Sequence, residues 1–185
     1  MVSSYKKTDT IRMSLANGEV KEVKIDPPAD HESERIKVSE ADLHDVLDPM
    51  TATLLATPGT GNPVSAEACQ RNLPVFDGRL RYDLQLSFKR MDTVKAEKGY
   101  AGPVVVCAVI FKPVAGYIGT RATIRYLTKI RDMELWLAPV AGTRVLVPFR
   151  AQGPTPIGEA VMEAVQFVSA PNPTVRASAN GKKGP

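Results

Sequence analysis

Residues 79–90 read RLRYDLQLSFKR, and their period decides the fold. Leu80, Tyr82, Leu84, Leu86 and Phe88 fall on one side of a strict alternation; Arg79, Arg81, Asp83, Gln85, Ser87 and Lys89 fall on the other. A period of two belongs to a β-strand with one face on a core and one in water. Downstream, Gly99, Gly102 and Pro103 punctuate the chain, and Val104–Phe111 is then apolar at every position. Such a segment is a central strand, or one lining an enclosed space. Met133–Val140 and Arg144–Phe149 flank the loop Ala141-Gly142-Thr143, which predicts another hairpin. Pro139 and Pro148 push those arms toward a sheet edge or a bulge.

Upstream, Ile11, Met13 and Leu15 alternate with polar residues, then Asn17-Gly18 precedes Val20, Val23 and Ile25. Asn-Gly supplies the two positive-φ positions of a tight turn, so this is a hairpin, ended by Pro27-Pro28. Ser39 and Asp42 have the spacing of a capping box, with Val38 and Leu43 as a staple, which predicts a short helix burying Leu43, Val46 and Leu47. Asp48-Pro49 starts a second one through Met50–Ala56. Residues 57–66 are loop, and Gly59 and Gly61 lack the preceding strand and third glycine of a dinucleotide fingerprint. Residues 120–131 lean toward a short helix. Residues 156–169 carry a helical stripe (Ile157, Val161, Ala164, Val165, Val168), although their β-branched content suits a strand. The stretch 171–185 lacks the hydrophobicity to order itself and reads as a disordered tail after one β-rich domain over 1–170.

The chain has 185 residues, 43% of them hydrophobic and 24% charged, which is globular composition. No stretch reaches the roughly 18 consecutive apolar residues of a membrane helix. The net charge of +4 is unevenly placed: residues 1–50 hold 7 basic and 11 acidic residues, and residues 51–185 hold 17 basic and 9 acidic. Arg121, Arg125, Lys129 and Arg131 form the densest basic set, a candidate anion-binding face whose ordinary reading is a solvated surface. No zinc-finger spacing, aromatic RNP-like strand or basic heptad region accompanies it, so nucleic acid is not the expected partner.

Chemistry is sparsely marked. His44 has Glu40 four residues before it and Asp48 four after, which on a helix would share a face, but an exposed polar face accounts for all three and no metal site is expected. His31 lies in an acidic loop. No G-x-S-x-G elbow is present, and with two histidines in the N-terminal quarter a nucleophilic triad has few bases to draw on. Glu159/Glu163 and Asp132/Glu134 are the carboxylate pairs a hydrolase would have to use. The expectation is a protein without catalytic activity or cofactor. Two cysteines leave two readings open: a buried thiol at Cys107, or a bond to Cys69 closing a loop of about 39 residues and worth ~4 kcal/mol.

LPVFDGRLRYDLQLSF (73–88), GPVVVC (102–107), WLAPVAGTRVLVPFR (136–150) and PTPIGEAVMEA (154–164) resemble a proteobacterial envelope family, known as a domain of unknown function, number 3108. The resemblance covers roughly residues 45–170. It implies a periplasmic protein built mainly of antiparallel strands, a Cys69–Cys107 disulfide, and a strand rather than a helix over 156–169. It carries no activity that could be transferred. The chain opens MVSSYKK, without the signal segment the family implies. Read literally that start is cytoplasmic; the resemblance makes the chain a C-terminal portion of a periplasmic protein instead.

The resulting expectation is a mainly β protein, a curved antiparallel sheet or partial β-barrel with two short helices near residues 39–56. Its expected role is a non-catalytic one in the cell envelope, binding a lipid or other apolar or amphipathic ligand in the sheet's concavity. Tyr82, Phe111, Trp136 and Phe149 are the candidate lining residues, although plain core explains each of them. The alternatives are an interaction module working through edge strands or the basic face, and a carboxylate-based hydrolase.

Overall fold

The computed structural model describes residues 10–28 and 32–169. Among the described residues about half lie in strands and the one α-helix has six residues, so the fold is mainly β, built on one antiparallel sheet, as expected. In chain order the elements are β1 (Thr10–Ala16), β2 (Glu19–Asp26), β3 (Leu55–Ala56), β4 (Arg71–Phe76), β5 (Arg81–Lys95), β6 (Lys98–Gly99) and β7 (Ala101–Ala115). Then come α1 (Ala122–Leu127), β8 (Met133–Pro139), β9 (Val145–Thr155), β10 (Gly158–Glu163) and β11 (Gln166–Phe167). The main sheet runs β10-β9-β8-β7-β5-β4, with β3 paired to β9 off that path. β1 and β2 form a separate antiparallel ribbon, and β11 pairs in parallel with β6.

The ribbon turns at Asn17 (φ 53°) and Gly18 (φ 77°), the two positive values an Asn-Gly hairpin requires. β7 lies inside the sheet, and Val104, Val105, Val106 and Cys107 are fully buried, which is why that segment shows no alternation. β8 and β9 are also interior strands, so the edge reading of Pro139 and Pro148 is corrected. The register shifts between Trp136, opposite Arg150, and Leu137, opposite Pro148, so Phe149 is the extra residue of a bulge.

The two short helices expected near residues 39–56 are single 3-10 turns, Glu40–Leu43 and Thr51–Thr53. The capping box forms: the backbone N–H and the hydroxyl of Ser39 both donate to Asp42 Oδ2, at 2.8 and 2.6 Å. The turn then stops because the sheet recruits the next residues. His44 is extended, Val46 N–H donates to Gly18 O, and Leu47 bridges β4 through Leu47 N–H to Pro74 O and Phe76 N–H to Leu47 O. Asp48 caps as expected, accepting from the N–H groups of Met50 and Thr51, but Leu55 and Ala56 leave the helix to pair with Leu146 and Val145. Over 156–169 the helical stripe misleads and the strands implied by the resemblance form, as β10 and β11. The expected tail, 171–185, lies outside the described residues.

The chain divides into two compact units, and β5 and β7 contribute to both. In the first (residues up to 53, 70–87 and 108–133), Val46, Val75, Phe76, Leu86, Ile118 and Ile124 are buried. In the second (54–69, 88–107 and from 134 on), Val104, Val106, Trp136, Ala138 and Phe149 form the core, with Tyr100 and Phe167 packed against it. The Cys69–Cys107 disulfide lies in this second unit, both residues fully buried.

Candidate functional site

In the first unit, residues 33–43 form a segment that closes against the end of β7 and shares a cleft with β2. The closure is a short backbone seam: Ile36 N–H donates to Tyr117 O at 2.9 Å, and Gly116 N–H donates to Ile36 O at 2.7 Å. Arg35 adds a side-chain bond from Nη1 to Gly116 O, at 2.7 Å. Gly116 allows the seam to form. Its φ is +79°, and a Cβ there would lie 1.7 Å from Arg79 O, so no side chain fits. Gly78 does the same for the ribbon, since a Cβ on it would meet Ile11 Cγ2 at 2.5 Å. Asp77 fixes the turn between β4 and β5 by accepting from the N–H groups of Arg79 and Leu80, at 2.8 and 2.7 Å.

These contacts leave a cleft of about 500 Å³. Its walls are Val23 and Ile25 from β2, Ile36, Val38 and Leu43 from the closing segment, and Phe76 from β4. Arg35, Lys37 and Arg79 also line it. A second cleft, about 370 Å³, shares Arg35 and Arg79 with the first. Its remaining lining is more polar and includes Asp77, Tyr117, Arg121 and Thr123, beside Ile11 and Ile118.

The four candidate lining residues divide between the units. In the first, the rings of Tyr82 and Phe111 pack 5.3 Å apart, and burial raises the Tyr82 phenol above its usual pKa. In the second, Trp136 and Phe149 are 4% and 2% exposed, which makes them core. The guanidiniums of Arg90 and Arg150 sit 5.2 and 5.0 Å from the Trp136 ring, and its indole N–H donates to Asp92 Oδ2 at 2.9 Å. That bond, above all, holds the Asp92 carboxyl below its ordinary range.

Of the basic set, Arg121 reaches the second cleft. Arg125, Lys129 and Arg131 are exposed, and Arg131 Nη1 donates to the carbonyls of Thr128 and Ile130. The metal-ligand spacing around His44 fails on backbone grounds: His44 is extended, so Glu40, His44 and Asp48 share no helix face. Among the described residues no group of three His, Cys, Asp or Glu side chains is placed to hold a metal, and His31 lies outside them. Glu134 is buried and bonded to Lys89 and to Arg90, the latter at 2.8 Å; these bonds, Arg90's first, hold its carboxyl below the usual range. A general acid needs the opposite shift. Glu163 pairs with Arg150 on the exposed strand β10.

The cleft wall Ile36 went unread in the sequence because it sits in an acidic, polar stretch, and Val38 was read only as the staple partner of Leu43. Their signal was the short alternation Ile36-Lys37-Val38 before the Ser39 cap, together with Gly116 at the end of a strand-like run.

A family model described as "Protein of unknown function (DUF3108)" matches residues 1–165, a span that takes in the β1–β2 ribbon as well as the sheet. No curated protein and no solved structure matches the chain.

Proposed function

The chain belongs to the DUF3108 family, and from that premise we propose that it is a non-catalytic protein of the proteobacterial periplasm that binds an amphipathic ligand. One observation carries this: the 500 Å³ cleft walled by Val23, Ile25, Ile36, Val38, Leu43 and Phe76. Ligand sites occupy roughly 300–1,000 Å³ and combine mostly apolar walls with a few placed polar groups, which matches this cleft and its arginines. The ligand thus sits between the ribbon and the closing segment, not against the aromatic residues singled out in the sequence. The disulfide supports the compartment, since such bonds persist where the surroundings are oxidising.

The test is native mass spectrometry of full-length protein recovered from its own cell envelope without detergent, followed by organic extraction. The reading expects an amphiphile of defined mass, absent from an Ile36→Asp variant. Ile36 is 49% exposed, so the charge is tolerated by the fold while it spoils the wall. Bare wild-type protein that also takes up no long-chain amphiphile in a calorimetric titration overturns it.

A second reading, an interaction module, draws on β10. It is the last strand in the order of the sheet, every residue in it is exposed, and its Val161 and Met162 are 49% and 74% exposed. An unpaired edge of this kind accepts an added strand. Protection of β10 amides from exchange only when a partner is present would support it.

A further inference from the structure

We infer that β10 is a docking edge for an extended protein segment of mixed apolar and basic character, added antiparallel along its open side. This rests on the interaction-module reading above and names the chemistry of the partner. The backbone fixes which groups β10 offers. Ala164 N–H donates to Phe149 O at 2.8 Å, and these two residues stand directly opposite in the register that pairs Glu163 with Arg150. In an antiparallel ladder such bonded pairs alternate with pairs that turn their polar groups away. Counting back along the register, Met162, Ala160 and Gly158 bond to β9, whereas Glu159, Val161 and Glu163 direct their N–H and C=O groups to the open side. Among the described residues no strand pairs with that side. β10 also lacks the usual defences of an edge: its sequence, GEAVME, has no lysine and no proline, and its register has no bulge. The strand at the other end of the sheet order, β4, carries Pro74 and is met by Leu47.

The side chains of β10 set the partner's pattern. Residues opposite each other across two strands share a face, so a residue added opposite Met162 stands on the Met162 face. Met162 borders a hollow of about 250 Å³, lined also by Pro148, Phe149, Ala151 and Ala164, which suits one apolar side chain. Met162 and Val161 are themselves exposed and gain burial from a strand beside them. On the other face, Glu163 is answered by Arg150 at 3.2 Å, but Glu159 stands across from Pro154, which brings no charge. Among the described residues no cation pairs with Glu159, so a Lys or Arg opposite it completes a cross-strand ion pair. Antiparallel addition thus calls for an apolar residue opposite Met162 and a basic one three positions later, opposite Glu159. A second copy of the chain does not meet this. Two β10 strands pairing about Val161 would set Glu159 against Glu163 twice, and like charges directly opposite destabilise a pair.

The experiment titrates full-length protein, by fluorescence anisotropy, with a short threonine-rich peptide that has valine at one position and lysine three positions later. A matched peptide has glutamate in place of the lysine. Both are run, up to millimolar, on wild type, Glu159→Lys and Val161→Pro. Proline at 161 removes an outward N–H and none of the bonds to β9, so an edge strand tolerates it, and a thermal melt checks that it does. Wild type is expected to bind the lysine peptide about fivefold to tenfold more tightly than the glutamate one, and Glu159→Lys to reverse the order. Val161→Pro is expected to abolish binding. In hydrogen exchange the lysine peptide should slow the amides of Glu159, Val161 and Glu163, while those of Ala160 and Met162, already bonded to β9, change little. Equal binding of the two peptides, or an order that Glu159→Lys does not reverse, overturns the basic partner and leaves the edge reading standing. Binding that survives Val161→Pro places the peptide elsewhere and overturns the inference. Binding of neither peptide overturns both the inference and the interaction-module reading, and leaves the amphiphile reading untouched, because the walls of its cleft belong to the first unit.

Discussion

Replacing Gly116 by alanine tests how the cleft is built. Three costs converge there. The backbone sits at φ +79°, where a Cβ costs about 1–2 kcal/mol. The new Cβ would lie 1.7 Å from Arg79 O, an obstacle in the backbone that no rotamer change removes. Relief requires moving the seam, which puts at risk the Ile36–Tyr117 and Gly116–Ile36 bonds, each worth about 1 kcal/mol. Together these come to about 3–5 kcal/mol. For a chain of this size, each kcal/mol lowers Tm by about 2–4 °C, so Gly116→Ala should lower it by about 12 °C. Gly59→Ala is the matched control. Its φ is +75°, yet a Cβ there meets nothing within 4 Å, so the backbone cost acts alone and the expected fall is about 4–5 °C. Thermal melts followed by far-UV circular dichroism measure both. Equal losses in the two variants would show that the close approach of residues 79 and 116 does not hold the segment, and the account of the cleft would fail.

Three further outcomes are expected. Replacing Cys69 and Cys107 together by alanine should cost about 4 kcal/mol, read as a lower Tm than that of oxidised wild type, with reductant shifting wild type alone. Glu134→Gln should cost about 2 kcal/mol at neutral pH, because it removes the ion pairs at a buried carboxylate. The folded-state pKa of Glu134 lies below its ordinary 4.5, so its contribution is complete above that value and is lost as pH falls through the lowered one. Urea melts across the acid range should therefore show wild type and variant converging below about pH 4.5. Asp92→Ala should leave the buried Trp136 N–H without its acceptor, cost about 1–2 kcal/mol, and change the tryptophan emission of the folded protein.

Where the backbone dictates side-chain direction, the fold was legible in the sequence. Asn17-Gly18 announced its hairpin because the turn needs positive φ, and the alternation over residues 79–90 announced the strand β5, although of its apolar set only Leu86 is buried, Phe88 is exposed, and Arg81 and Asp83 on the other side are half-buried. β7 was legible as an interior strand by its lack of any polar face. β10 was not legible from periodicity, because an edge strand exposed on both faces has no buried side to impose a period of two; it took the family resemblance to place it. Residues 39–47 carry true helix-start chemistry, and the capping box forms. What stops the helix is Leu47 pairing with Pro74 and Phe76, about thirty residues away in sequence, and no local rule reports that. The candidate site was the least legible part. Its walls come from β2, the 33–43 segment, β4 and Gly116, and what joins them is a seam whose key residue, Gly116, acts through a side chain it lacks.

The most direct measurement is photo-labelling with a diazirine-bearing long-chain carboxylate, mapped by peptide mass spectrometry on full-length protein. The account predicts label on the β2, 36–43 and Phe76 peptides, competed away by unlabelled dodecanoate and reduced in Ile36→Asp. Label confined to peptides of β8 and β9, or label that no competitor displaces, would contradict it.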